Sequence, residues 1–155
     1  MAAESASSPA SSVSASQRSR IVYDKDLIKV MTMFESFTGA SLKDCFNSGS
    51  SIYFVVSPED MGKSIGRNGA NIKRIEEAMK KNVRVLEFSP DLATFIKNLI
   101  YPITARQIKV EDGTVTITGE DSRSKGLLIG RNSSNLNSYK QIIRRYFEIR
   151  DLRVV

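Results

Sequence analysis

The chain repeats itself. Ile65-Gly66-Arg67-Asn68 recurs as Ile129-Gly130-Arg131-Asn132, at an offset of 64 residues. At the same offset Asn71 matches Asn135, Ile72 matches Leu136, Ile75 matches Tyr139 and Met79 matches Ile143, while Val83 and Val85 fall on Phe147 and Ile149. A four-residue match can arise by chance. One set among apolar positions that stay apolar points to duplication. The consequence for the fold is strict: the 155 residues must be shared by two small units, each with little core of its own.

Element order repeats as well. In the first unit, Leu27, Val30, Met31, Phe34 and Phe37 recur at helical spacing and Gly39 stops the run. Two strand-like runs follow, 41–47 and 51–56, split by Ser48-Gly49-Ser50. Ser57-Pro58-Glu59 reads as a capped helix start, and that helix stops at Gly66. A second helix is expected over 70–81, with Ile72, Ile75, Ala78 and Met79 on one face, then a strand over 83–88. The second unit runs likewise. Ser89-Pro90-Asp91 caps a helix that ends at Pro102, and a hairpin turns at Asp112-Gly113. Helices follow over 122–129 and 134–146, and a strand over 147–154 closes the chain. The expected class is α+β, α-β-β-α-α-β in each half, with small three-stranded sheets packed with helices. Residues 1–22, rich in Ser and Ala, read as a disordered tail; 23–88 and 89–155 read as the two domains.

Charge is distributed unevenly. Residues 63–84 and 123–153 together carry fifteen Lys or Arg against four Asp or Glu, while the remainder carries eight against thirteen. Two basic blocks on an otherwise acidic chain imply a polyanionic partner. The single cysteine, Cys45, allows no internal disulfide and reads as a small buried apolar residue. Histidine is absent, which removes the commonest general base and, with one cysteine, any ordinary zinc site. No cofactor or metal is expected, and no enzyme activity. No run approaches the ~18–20 apolar residues of a membrane span, and the N-terminus lacks the apolar core of a secretory signal. A cytoplasmic location is the expectation.

The repeated turn carries the chemistry. Two glycines in Gly66-Arg67-Asn68-Gly69 remove Cβ atoms, so a nucleic-acid backbone could lie directly on the main chain. The following helix would point its first N–H groups at that spot, which favours phosphate. Arg67 adds a charge within reach, and Asn68 tolerates a left-handed conformation. The second copy, Gly130-Arg131-Asn132-Ser133, replaces the last glycine. A Cβ at 133 is expected to restrict the backbone and leave the second turn the weaker, with Ser133 capping the helix that follows. Two other patterns carry little. Gly62-Lys63-Ser64 resembles the end of a phosphate-binding P-loop, but Ser57 stands where that motif needs glycine and Glu59 and Asp60 would face the phosphates. Asp24 and Asp26 form a DxD pair, which at a helix start is ordinary capping.

Strand, helix, GxxG, helix, strand, duplicated within basic blocks, resembles the KH domain, whose GxxG loop clamps about four nucleotides of single-stranded RNA. The helix-first order is similar to type II KH domains. That resemblance implies a groove for bases lined by Ile65, Ile72 and the Val83–Val85 strand, flanked by Lys63, Lys73 and Arg74. For Ile75 plain core packing is the better reading. In the second unit it implies a site at Ile129, Gly130, Arg131, Asn132 and Ser133. Two such units in tandem with Ser-Ile-Gly-Arg-Asn-Gly-Ala-Asn-Ile (64–72) resemble the NusA family of transcription factors, in its short archaeal form. The resemblance implies single-stranded RNA as partner, a role in elongation or termination on nascent RNA, and a monomer. RNA polymerase is a second candidate partner, although the polymerase-binding and OB-type domains of bacterial members have no counterpart here. A KH protein of ribosome assembly or RNA turnover is the alternative.

Overall fold

A computed structural model describes residues 25–155; the Ser/Ala-rich stretch read as a tail lies outside them. The amphipathic run becomes helix α1 (Lys25–Thr38), stopped by Gly39, whose N–H reaches the Glu35 carbonyl at φ 74°. Strands β1 (Leu42–Ser48) and β2 (Ser51–Val56) form an antiparallel hairpin with a bulge between Leu42 and Asp44. Helices α2 (Met61–Ile65) and α3 (Ala70–Met79) then carry the chain over to β3 (Asn82–Glu87), which pairs parallel with β2. Parallel pairing requires such a crossover, because a tight turn cannot reverse the chain twice. The sheet order is β1-β2-β3.

After α4 (Leu92–Ile100) the pattern returns: hairpin β4 (Ala105–Glu111) and β5 (Thr114–Gly119), helices α5 (Ser122–Ile129) and α6 (Ser134–Arg144), and β6 (Asp151–Val154) parallel to β5. The bulge recurs too, between Ala105 and Gln107. Asp112 and Gly113 both adopt positive φ, 51° and 79°, as a two-residue hairpin turn with right-twisted strands demands. Each half is therefore α+β with one small three-stranded sheet packed with helices. Two compact units divide between Leu99 and Ile100.

Each unit has its own core. In the first, Phe34 of α1 stacks on Phe54 of β2 with ring centroids 4.3 Å apart, and Cys45, Ile52, Val56, Ile75 and Val83 close around them. Cys45 is wholly buried, as its apolar setting suggested. In the second, Val115, Ile117, Leu128, Tyr139, Ile142, Ile143 and Leu152 are buried.

Three expectations need correction. Ser57 makes no side-chain cap; Pro58–Asp60 form a 3-10 turn that leads into α2. Ala78 is exposed rather than inward. The last strand begins at Asp151, not at 147. The hairpins close at Ser48–Ser51 and at Glu111–Thr114, so Ile52 corresponds to Val115. Their parallel partners are Val83 and Leu152. Val83 lies 17 residues after Gly66, but Leu152 lies 22 after Gly130, so the second unit has five extra residues at this point. The cause is how the helices end. Lys80 turns left-handed (φ 55°) and returns its N–H to the Glu76 carbonyl, which stops α3 at once. Arg145 stays right-handed (φ −65°), and Tyr146 and Phe147 donate back to the Ile143 carbonyl. Arg150 N–H then reaches the Gly113 carbonyl at 2.7 Å and delivers the chain to the sheet.

Carboxylates tie down several of these joints. Asp91 accepts from the Thr94 hydroxyl (2.7 Å) and N–H (3.0 Å) at the start of α4, and Asp121 accepts from the Ser124 N–H at 2.8 Å at the start of α5. Asp151 takes the Lys140 ammonium at 2.8 Å. The Thr94 hydroxyl, the Ser124 N–H and the Lys140 ammonium, respectively, hold these three carboxyls below the ordinary value of 3.8. A depressed carboxyl contributes stability that is complete above its ordinary value and lost as pH falls through its lowered one. With no histidine in the chain, denaturation midpoints should be flat from about pH 8 to about pH 5 and decline below about pH 4. A decline that set in near pH 6 would show that other groups govern acid stability.

Candidate nucleic-acid interface

The two corners are built alike. Helix α2 ends at Gly66 with φ 76° and ψ 173°, and α5 ends at Gly130 with φ 74° and ψ 174°. This region of backbone space is essentially restricted to glycine. Each glycine returns its N–H one turn back, Gly66 to Gly62 (2.9 Å) and Gly130 to Gly126 (2.8 Å). Arg67–Gly69 and Arg131–Ser133 follow as single 3-10 turns. Within them Asn68 and Asn132 sit left-handed, at φ 54° and ψ 30° and at φ 54° and ψ 34°.

Ser133 departs from expectation. It stands at the helix-capping position but makes no side-chain cap, and its backbone is left-handed (φ 61°, ψ 23°). Gly69 has nearly the same conformation (φ 73°, ψ 18°), and a Cβ there would meet nothing within 4 Å. The serine therefore keeps the shape of the turn, and its side chain has room. The positions that tolerate no Cβ are Gly66 and Gly130. A Cβ on Gly66 would lie 2.8 Å from Asn71 Cγ, and one on Gly130 would lie 2.8 Å from Asn135 Cγ.

Those asparagines are the corner residues that sequence reasoning left without a role. Asn71 Nδ2 donates to the Lys63 carbonyl at 2.7 Å, and Asn135 Nδ2 donates to the Leu127 carbonyl at 2.8 Å. Each amide spans eight residues and fastens the end of one helix to the start of the next. The signal was visible, since both lie at the repeat offset.

Of the remaining candidates, Arg67, Asn68, Arg131 and Asn132 are exposed at the corners, and Ile65, Ile72 and Ile129 are half-buried beside them. The main-chain N–H groups of Arg67, Asn68, Arg131 and Asn132 meet no intramolecular acceptor among the described residues. Lys63 is exposed and lies 3.8 Å from Asp60, a contact of little strength in water. Lys73 and Arg74 lie elsewhere. Lys73 borders a shallow depression with Ser50, Glu76, Lys80, Lys81 and Asn82, toward the far end of α3. The Arg74 guanidinium lies 4.6 Å over the Phe37 ring of α1. Ile75 is fully buried, as core packing required. Among the described residues no group of three or more His, Cys, Asp or Glu could hold a metal, and no helix is long and apolar enough to cross a membrane.

These features define a class: a duplicated α+β protein whose halves each present a glycine-kinked helix–helix corner with an exposed Arg-Asn pair. No family model matches the chain. Curated relatives do. The chain is 30% identical to the probable transcription termination protein NusA of Methanococcus vannielii, over 88% of this chain and 80% of that protein. It is 25% identical to the protein of that name in Halococcus morrhuae, over 87% of this chain and 99% of the relative, and 25% identical to the one in Thermoplasma acidophilum, over 89% and 98%. The crystal structure of APE1850 superposes with a TM-score of 0.67 at 26% identity, covering 86% of this chain and all of that one. The chain belongs to the archaeal family of NusA-like proteins.

Proposed function

We propose that this chain is a single-stranded RNA-binding factor of transcription, acting on nascent RNA in elongation or termination, and that its halves are tandem type II KH domains. The observation that carries the reading is the pair of matching corners. Each offers two main-chain N–H groups without an internal acceptor and one exposed arginine, at a glycine kink that turns both toward the surface. Donors of this kind suit phosphate oxygens. The family name of the relatives supports a role in transcription. The proposed domains are residues 23–88 and 89–155, with α4 as the counterpart of α1 in the repeat, although nearly all of α4 falls within the first compact unit.

In this reading Gly66, Arg67, Asn68 and Gly69 hold phosphates of one stretch of RNA, and Gly130, Arg131, Asn132 and Ser133 those of another. Ile65 and Ile72, and Ile129 in the second half, supply apolar surface for bases. Lys63 adds charge at the rim. Lys73 and Arg74 act on the wider field around α3 rather than at the corner. The mechanism is binding without covalent chemistry: nascent RNA held at two points is restrained from refolding.

The test is a titration with single-stranded and duplex RNA over a range of salt. Each phosphate neutralised on a single strand should contribute about −0.7 to the slope of log affinity against log salt. With a handful of contacts, affinity should fall by more than an order of magnitude between about 50 and 200 mM salt, and single strands should be preferred. A slope near zero, or equal affinity for duplex, would overturn the proposal. Recovery of ribosomal particles rather than nascent transcripts after cross-linking in cells would favour ribosome assembly instead.

A further inference from the structure

We propose that Asn71 and Asn135 are the positioning residues of the two corners, each acting as a clasp that sets the direction in which the phosphate-facing N–H groups point. The inference deepens the RNA-binding reading and rests on it.

The corner lacks a constraint of its own. Gly66 and Gly130 have access to more backbone conformations than any other residue type, so nothing in their own chemistry holds φ near 75° and ψ near 174°. The internal hydrogen bonds of the 3-10 turns are long, 3.2 Å for Gly69 N–H to Gly66 and 3.3 Å for Ser133 N–H to Gly130. Something else must fix the angle between the helices. The Asn71 amide does so from the first turn of α3, by donating to the Lys63 carbonyl in the last turn of α2. That carbonyl belongs to the set a helix end leaves without partners. Asn135 repeats the contact at Leu127, within 0.1 Å of the same length.

The clasp also occupies the space a Cβ would need. Asn71 Cγ and Nδ2 would lie 2.8 and 2.9 Å from a Cβ on Gly66, and Asn135 Cγ and Nδ2 would each lie 2.8 Å from one on Gly130. Glycine and asparagine are thus a matched pair: the glycine admits the amide, and the amide holds the glycine. Another polar side chain at 71 would need the same reach and a donor. Aspartate has the reach but would set a carboxylate oxygen against the Lys63 carbonyl, which repels it.

Three variants of the full chain test this: Asn71→Ala, Asn71→Asp and Asn135→Ala. Two readouts are needed. The first requires no RNA: amide hydrogen exchange at residues 62–72, or 126–136 for Asn135→Ala. Exchange should rise locally while the strands of the same unit stay protected. Unchanged exchange at the corner would refute the clasp, whatever the protein binds. The second is affinity for single-stranded RNA at a temperature where circular dichroism shows each variant fully folded. Each alanine should weaken binding by roughly three- to tenfold, the range expected for one neutral hydrogen bond, and Asn71→Asp by more. For the two alanine variants the salt slope should not change, because they neither remove nor add a charge, whereas Arg67→Ala should lower its magnitude by about 0.7. If the wild type binds and the folded variants bind equally well, the asparagines serve stability alone and the inference fails. If the wild type does not bind RNA, the reading it rests on fails instead.

Discussion

Gly66→Ala and Gly130→Ala should each cost at least about 2 kcal/mol of RNA-binding free energy, roughly thirtyfold, whereas Gly69→Ser should cost less than about 1 kcal/mol. The first two place a methyl group where φ is 76° or 74° and ψ is near 174°, a region whose strain for other residues is about 1–3 kcal/mol. The new Cβ would also lie 2.8 Å from an asparagine Cγ and 2.9 Å from a backbone nitrogen, and that backbone belongs to a helix. The corner can relieve both only by changing the angle between its helices, which redirects the N–H groups. Gly69→Ser copies what the second unit already contains: Ser133 adopts the same left-handed state, and at 69 the Cβ has open space. Titrations with single-stranded RNA, on proteins shown to be folded, measure all three. Equal losses at Gly66 and Gly69 would mean that ligand approach to the second glycine, rather than the shape of the first, controls binding.

Phe34→Ala should destabilise the first unit by about 3–5 kcal/mol, the range for truncating a buried aromatic ring. Phe34 and Phe54 are both fully buried and stacked at an interplanar angle of 16°, and Ile75, on the helix after the corner, belongs to the same cluster. A domain this small commands only a few kcal/mol in all, so the variant should lose most of its first unit at 37 °C. Chemical denaturation followed by far-UV circular dichroism gives the value. A loss below about 1 kcal/mol would show that the cluster can collapse into the space left by the ring.

What was legible in the sequence, and what was not, follows a physical line. Apolar periodicity located α1 and its inward face, because burial leaves a pattern. The kinked corner was legible because glycine at 66 and 130 and asparagine at 68 and 132 are the residues such dihedrals permit. The extra residues before β6 were hidden. Lys80 stops α3 in a left-handed conformation more usual for glycine, and nothing about a lysine announces that. A fixed offset of 64 therefore equated Val83 with Phe147, whereas the registers, Val83 on Ile52 and Leu152 on Val115, equate it with Leu152. That Ser133 would make no side-chain cap was hidden, because its left-handed backbone (φ 61°) is a conformation serine seldom adopts and the sequence does not announce it. The partner of Asn71 is a main-chain carbonyl eight residues earlier, and carbonyls have no signature in a sequence. The family resemblance set Lys73 and Arg74 beside the groove, but sequence could not say that Arg74 lies over Phe37 or that Lys73 borders the depression with Lys80 and Lys81.

The burial of Cys45 has a practical side. It is the only cysteine, and its relative exposure is 0%. Thiol-directed dyes thus have no accessible target in the native protein, so a cysteine introduced at Asn68 or Asn132 would be the single labelling point, with no native thiol to remove first. A fluorophore there would report directly on whatever settles at that corner. The same burial makes Cys45 a clock for its own unit: a thiol reagent reaches it only when the hairpin and α1 part, and the rate of modification measures how often they do.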